Sequence, residues 1–227
     1  MNLLTEILDF FLPRICPVCG SRLSLDEKYI CAKCLDRIQL ASDDRLSIEF
    51  KRKFLEKKII SGFTSLYVFE EGKEFQQIIH ALKYNGRFQL GTFLGERLCN
   101  PLKEKLNEWR VDVIVPIPLH QLKRAERGYN QSLFIAKGLG KVLNIPVNNN
   151  IVKRIRFTQT QTAMNLFERE KNVRNAFKVK KPHSVTGKNI LIIDDVITTG
   201  ATVSECGRIL LENGAHMVYV ASVAIAD

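Results

Sequence analysis

No stretch of this 227-residue chain reaches the ~20 consecutive apolar residues that a membrane-spanning helix needs. Residues 1–11 are apolar, yet they carry Glu6 and Asp9 and neither lysine nor arginine. A secretory leader wants a basic start and a small-residue cleavage site, so the pattern argues against one. Leu3, Leu4, Ile7, Leu8 and Phe11 instead share one helical face, which predicts a short helix packed on the domain. The expectation is a cytoplasmic protein in a reducing compartment, where structural disulfides are rare. Two glycine-rich phosphate loops are also missing. For G-x-x-x-x-G-K-[ST], Gly187-Lys188 is followed by Asn189, and Pro182 stands where the first glycine belongs. G-x-G-x-x-G is absent too, so a P-loop nucleotidase and a dinucleotide-binding module are excluded. Internal repeats and low-complexity segments are lacking.

What is present suits an ordinary soluble globular protein, 45% hydrophobic and 26% charged. The length allows one medium domain plus a small appendage. Residues 1–36 hold the apolar helix and a cysteine-rich knot. Residues 37–62 form a polar, charge-dense connector with Ser42-Asp43-Asp44 and Lys51-Arg52-Lys53, helical in part at most. Residues 63–227 alternate strand-like and helix-like pieces. Thr64 to Phe69, Val111 to Val115, Ile190 to Ile193 and Met217 to Ile225 read as strands. Helices are expected where Phe75, Ile78, Ile79 and Leu82 recur before Asn85-Gly86, and over Phe88 to Leu106, Tyr129 to Leu143 and Thr202 to Asn213. Such alternation predicts an α/β fold with a parallel sheet.

Cys16-Pro17-Val18-Cys19-Gly20 and Cys31-Ala32-Lys33-Cys34 are two C-x-x-C pairs separated by 11 residues. Each can present two thiolates from one tight turn, and two such turns complete a tetrahedral four-sulfur zinc site. Two disulfides or a redox C-x-x-C are the alternatives; the missing leader weighs against the first and the pairing of motifs against the second. A closed site builds structure and performs no chemistry, so Cys16, Cys19, Cys31 and Cys34 are read as ligands of a structural zinc ribbon. Cys99 and Cys206 have no partner at ligand spacing and are expected in the core.

The most informative segment is Ile190-Leu191-Ile192-Ile193-Asp194-Asp195-Val196-Ile197-Thr198-Thr199-Gly200-Ala201-Thr202. A buried strand ends in two acids, where open α/β sheets bind ligands. A hydroxyl-rich loop then enters a helix, whose free N–H groups and dipole favour a phosphate. Asp194 and Asp195 would face sugar hydroxyls or a hydrated Mg²⁺, a hard cation that prefers oxygen. The plainer account is a capped helix, with Thr198 or Thr199 as N-cap and the acids merely solvated.

This segment resembles the phosphoribosylpyrophosphate signature of type I phosphoribosyltransferases. Val115-Pro116-Ile117-Pro118-Leu119-His120, Arg124, Arg127-Gly128-Tyr129-Asn130-Gln131, then Arg156-x-Thr158 with Gln161, Arg169 and Asn172, resemble the ComF/GntX branch. The double C-x-x-C and Leu82-Lys83-Tyr84-Asn85-Gly86 match that branch too. The resemblance implies a type I phosphoribosyltransferase-like domain in which Asp194 and Asp195 contact the ribose hydroxyls. Val196, Ile197, Thr198, Thr199, Gly200, Ala201 and Thr202 would hold the 5-phosphate, and Arg124, Arg127, Gly128 and Asn130 would lie near the pyrophosphate. Residues 153–175 would be a mobile hood carrying Arg156, Gln161 and Arg169. The implied chemistry is Mg²⁺-dependent displacement of pyrophosphate, stabilised electrostatically. His120 is read as a structural hydrogen-bonding residue ahead of a general base. The chain begins Met1-Asn2, without the amino-terminal cysteine of amidophosphoribosyltransferases, which argues against glutamine-dependent amidotransfer.

Net charge is +10 with histidine neutral, and it is concentrated: residues 122–181 carry 14 basic and 3 acidic side chains. Alone this is a solvated face. Beside a phosphate site it points to an anionic partner. The ComF branch is associated with DNA uptake during bacterial competence. Two functions are therefore carried forward: a phosphoribosyltransferase with an unidentified acceptor, and a non-catalytic protein that handles single-stranded DNA with the competence machinery and uses the pocket as a sensor.

Overall fold

The computed structural model describes residues 13–157 and 171–226. The helix expected within residues 1–11, and Thr158, Gln161 and Arg169 of the expected hood, lie outside the described residues. After a short helix α1 (Ala32–Asp36) the chain forms α2 (Asp43–Phe50), β1 (Gly62–Phe69), α3 (Glu74–Tyr84), α4 (Phe88–Trp109), β2 (Val113–Pro116), α5 (Gln121–Arg127) and α6 (Gln131–Leu143). A small pair β3 (Val152–Arg154) and β4 (Phe177–Val179) follows, then β5 (Asn189–Ile197), α7 (Ala201–Glu212) and β6 (Met217–Ala226).

Strands β1, β6, β5 and β2 lie side by side in that order, every pair parallel. The fold is the parallel α/β sheet that the alternating pattern predicts. Its strands are nearly continuous apolar runs because both faces are covered. One face packs Ile78, Leu82, Leu94, Leu98 and Ile135 from α3, α4 and α6. The other packs Val203, Cys206 and Leu210 of α7 with Phe177 and Val179 of β4. Helices α4 and α6 cross at backbone contact, since a Cβ at Gly95 would lie 2.0 Å from the Ile135 carbonyl oxygen. Cys99 and Cys206 are core residues, as expected.

Several boundaries move, each for a tertiary reason. Helix α4 runs past Leu106 to Trp109, whose ring stacks on Tyr219 at 4.6 Å. Strand β2 starts at Val113, where pairing with Ile190 of β5 begins. The antiparallel pair β3–β4, absent from the strands expected, closes the base of the 153–175 segment with Arg154 opposite Phe177. Residues 37–62 are packed structure. Ser42 caps α2 by accepting from the Arg45 N–H, and the helix continues into a π-helical turn over Lys51–Leu55. Glu49, only 3% exposed, pairs there with Arg52 and with Lys53, whose ammonium also donates to the Ala226 carbonyl. Among the described residues no helix is long and apolar enough to cross a membrane.

Candidate functional site

At the carboxyl end of β5 the two acids are half-buried and hydrogen-bonded. Asp194 Oδ1 accepts from the Ser132 hydroxyl at 3.0 Å and from the Asp195 N–H at 3.0 Å. Asp195 Oδ1 accepts from the Val196 N–H at 2.8 Å, and its Oδ2 lies 3.0 Å from Lys83 Nζ at the end of α3. Burial and the neighbouring Asp195 charge push Asp194 well above the ordinary carboxylate range. Burial acts the same way on Asp195, but Lys83, the Val196 N–H and the Arg127 charge outweigh it and hold that carboxyl below its usual value. The pair is thus split, with Asp195 the firm anion.

The segment that follows is only partly loop. Val196 and Ile197 remain in β5, paired with Ala224 and Ile225, and Ile197 is buried in the core. The turn itself starts at Thr198, which is exposed. Thr199 Oγ1 accepts from the Ala201 N–H at 3.3 Å. Gly200, at φ +75°, is the N-cap of α7 and brings no side chain to it. That displaces the expectation of Thr198 or Thr199 as cap: the left-handed backbone at Gly200 tolerates an L side chain poorly. An added Cβ there would also lie 2.6 Å from Phe54 Cε1, so the π-helical turn braces the loop from behind.

Four cations gather beside the acids from three elements. Lys83 comes from α3, Lys123 and Arg127 from α5, and Arg154 from β3. Burial lowers Lys123, and the nearby charges of Arg127, Arg154 and Lys83 lower it further. Burial lowers Arg154 as well, while Asp194 opposes that shift. Arg127 also covers the Tyr84 ring at 5.4 Å, and the Tyr129 hydroxyl donates to the Leu82 carbonyl. Lys123, Ser132 and Arg154 were not among the residues singled out from the sequence, and Lys83 was named there only within the match over residues 82–86, with no role at the site.

The other expected residues divide into two groups. Arg124 is exposed on α5, and Gly128, at φ +78°, ends that helix. Asn130 Oδ1 caps α6 through the Ser132 N–H, and its Nδ2 donates to the Ile117 carbonyl, so both ends of its amide position the helix. His120 Nδ1 accepts from the Leu122 N–H as the cap of α5, a structural hydrogen-bonding role. Arg156 donates to the carbonyls of Lys171 and Asn172, joining the two sides of the segment closed by β3–β4.

Away from the sheet end, Cys16, Cys19, Cys31 and Cys34 bring their sulfurs within 4.8 Å of one another. A tetrahedral metal with metal–sulfur bonds of about 2.3 Å needs sulfur–sulfur edges of about 3.8 Å. Cys19 Sγ and Cys31 Sγ lie 3.7 Å apart, and all four cysteines are free thiols. The cluster therefore fits a structural metal. It is fastened to the domain by Arg87, which donates to the Ile15 carbonyl at 2.9 Å.

A family model described as "Phosphoribosyl transferase domain" matches residues 130–227, which include α6, β5, the turn and α7. The chain is 37% identical over 149 residues to DNA utilization protein YhgH of Escherichia coli, covering 63% of each protein. It therefore spans a little less than two thirds of that relative. Against competence protein F of Haemophilus influenzae it is 30% identical over 153 residues, covering 66% of this chain and 67% of that protein. Against competence protein ComFC of Bacillus subtilis it is 24% identical over 204 residues, 88% and 79% of the two chains. The identity carried across two thirds of competence protein F, together with the matching transferase model, shows that the chain belongs to the ComF family of phosphoribosyltransferase-like proteins.

Proposed function

We propose that this protein binds 5-phosphoribosyl-1-pyrophosphate with Mg²⁺ and transfers the phosphoribosyl group to an acceptor, releasing pyrophosphate. The observation that carries this reading is the split acid pair Asp194–Asp195, set between the Gly200 turn and a ring of cations. Asp194 and Asp195 take the ribose hydroxyls. Thr198, Thr199, Gly200, Ala201 and Thr202 hold the 5-phosphate through backbone N–H groups, hydroxyls and the α7 dipole, with Val196 and Ile197 setting the strand behind them. Arg124 and Arg127 face the pyrophosphate, with Gly128 and Asn130 shaping that turn. Arg156 shields the sugar from water, a role that the resemblance alone extends to Gln161 and Arg169, which lie outside the described residues. The bond from C1 to pyrophosphate breaks with its electron pair on the leaving group, an acceptor lone pair forms the new C1 bond, and the acceptor proton passes to solvent. Mg²⁺, when bound, neutralises charge on the pyrophosphate. The metal at the four cysteines is zinc, with a structural role only.

A ligand that binds only the native state stabilises it. Phosphoribosylpyrophosphate with Mg²⁺, at ~100 times its Kd, is expected to raise Tm by about 5–10 °C. Ribose 5-phosphate, which lacks the pyrophosphate, should give a smaller rise. No shift at millimolar ligand contradicts the reading, and pyrophosphate release against a panel of acceptors tests the transfer.

A second reading is favoured by the lysines that line the β3–β4 edge. Lys178 of β4, and Lys180 and Lys181 just after it, are exposed. On this reading the protein handles single-stranded DNA. Binding should then weaken with salt at a log–log slope of about −0.7 per phosphate contact. Glutamate at all three lysines should weaken it and leave sugar-phosphate binding intact. DNA binding that ignores both salt and these lysines counts against the reading.

A further inference from the structure

Lys83 lies outside the residues matched by the transferase model, yet its ammonium is 3.0 Å from Asp195 Oδ2. The carboxylate that should receive sugar hydroxyls or a hydrated cation is already neutralised. Its Oδ1 is taken by the Val196 N–H and its Oδ2 by Lys83. A half-buried anion left without a counter-charge is costly, so the site needs a cation at this point before any ligand arrives. The same ammonium belongs to the group of cations, with Arg127 and Arg154, whose fields reach Lys123. A pyrophosphate entering that group offers Lys83 a more highly charged partner than one carboxylate.

We propose that Lys83 is a placeholder cation. It holds Asp195 ionised in the free protein, yields the carboxylate when a divalent cation and sugar diol arrive together, and turns onto the pyrophosphate. The proposal rests on the phosphoribosylpyrophosphate reading of the site. Such a site should refuse a bare divalent cation. Without the anion, the incoming metal must evict an ammonium that has nowhere better to go. With the anion, the exchange conserves charge pairing.

The test uses the full chain, with Mn²⁺ as the probe ion followed by electron paramagnetic resonance. Loss of the ammonium in Lys83→Met should tighten binding of Mn²⁺ alone by about tenfold or more. In the same variant, calorimetric affinity for phosphoribosylpyrophosphate with Mg²⁺ should fall by about tenfold or more. Lys83→Arg keeps the charge and should leave Mn²⁺ alone as weak as in the wild type. If Lys83→Met does not fold, Lys83→Gln supplies the same neutral comparison. Binding of Mn²⁺ alone that is no tighter in the neutral variant overturns the exchange, even where the wild type binds the sugar pyrophosphate. Absence of sugar-pyrophosphate binding in the wild type instead overturns the site reading, and the Mn²⁺ comparison still decides what Lys83 does at Asp195.

Discussion

Serine in place of Cys34 is expected to empty the four-cysteine site and release residues 14–38 while the sheet persists. Three of the sulfurs, those of Cys16, Cys31 and Cys34, belong to buried residues that join Leu23, Ile30 and Ile38 at the edge of the main core. The segment's other apolar side chains packed there, Val18, Tyr29 and Leu35, are only partly buried. Its local backbone pairing is one bridge, Ile15 with Arg22, and the turn bonds around Gly20 and Cys31. On the zinc reading, metal binding would supply much of its folding free energy, which is about 10–16 kcal/mol in small zinc-finger peptides. On that reading, elemental analysis should find one zinc per chain in the wild type and none in Cys34→Ser. Amide exchange should rise across residues 14–38, while β5 and β6 keep their protection, because their bonds are central in the sheet. A chelator should do the same to the wild type. Retained metal in Cys34→Ser, or unchanged exchange in the segment, contradicts the assignment of Cys34 as a ligand.

Asp195→Asn should lower affinity for phosphoribosylpyrophosphate by about a hundredfold, since charge-assisted hydrogen bonds to a sugar diol and the metal's counter-charge are lost together. The variant also strips Lys83 of its anion. A pH series separates the two acids. Asp194, raised by burial and by Asp195, takes up a proton as pH falls toward and below neutrality, so wild-type affinity should rise with pH through that raised value. Removing the Asp195 charge should return Asp194 toward the ordinary range and move the dependence to lower pH. For folding stability the signs oppose. The raised Asp194 costs stability once pH exceeds its unfolded value. The depressed Asp195 contributes stability above its unfolded value and loses it as pH falls through the folded one. An affinity independent of pH in the wild type would argue that Asp194 does not carry charge to the ligand.

Much of this was legible in the residues because it is local. Apolar runs ending in Asp194-Asp195, the Gly200 turn and helical spacing in Phe75, Ile78, Ile79 and Leu82 each encode one element, and their alternation encodes a parallel sheet. Four cysteines at two C-x-x-C spacings likewise declare a shared site. What escaped was set by strand order and chain crossing. Ser132 reaches Asp194 from 62 residues away, and Lys83 reaches Asp195 only because α3 and β5 meet at one end of the sheet. Strands β3 and β4 are three residues each, too short for an alternating pattern to stand out, so Arg154 had no visible reason to face Asp194. The connector looked polar because Glu49, Arg52 and Lys53 are charged. Their mutual neutralisation, which lets Glu49 and Lys53 be buried and Phe54 back Gly200, is a tertiary fact.

The acid pair at the end of β5 is proposed to bind the sugar of a phosphoribosyl pyrophosphate. Calorimetric titration of phosphoribosylpyrophosphate, at fixed Mg²⁺, into the wild type and into Asp194→Asn/Asp195→Asn tests it most directly, with circular dichroism and zinc content confirming that both are folded. One site per chain is expected in the wild type, and no measurable binding in the double variant. Equal affinity in the two proteins would contradict it.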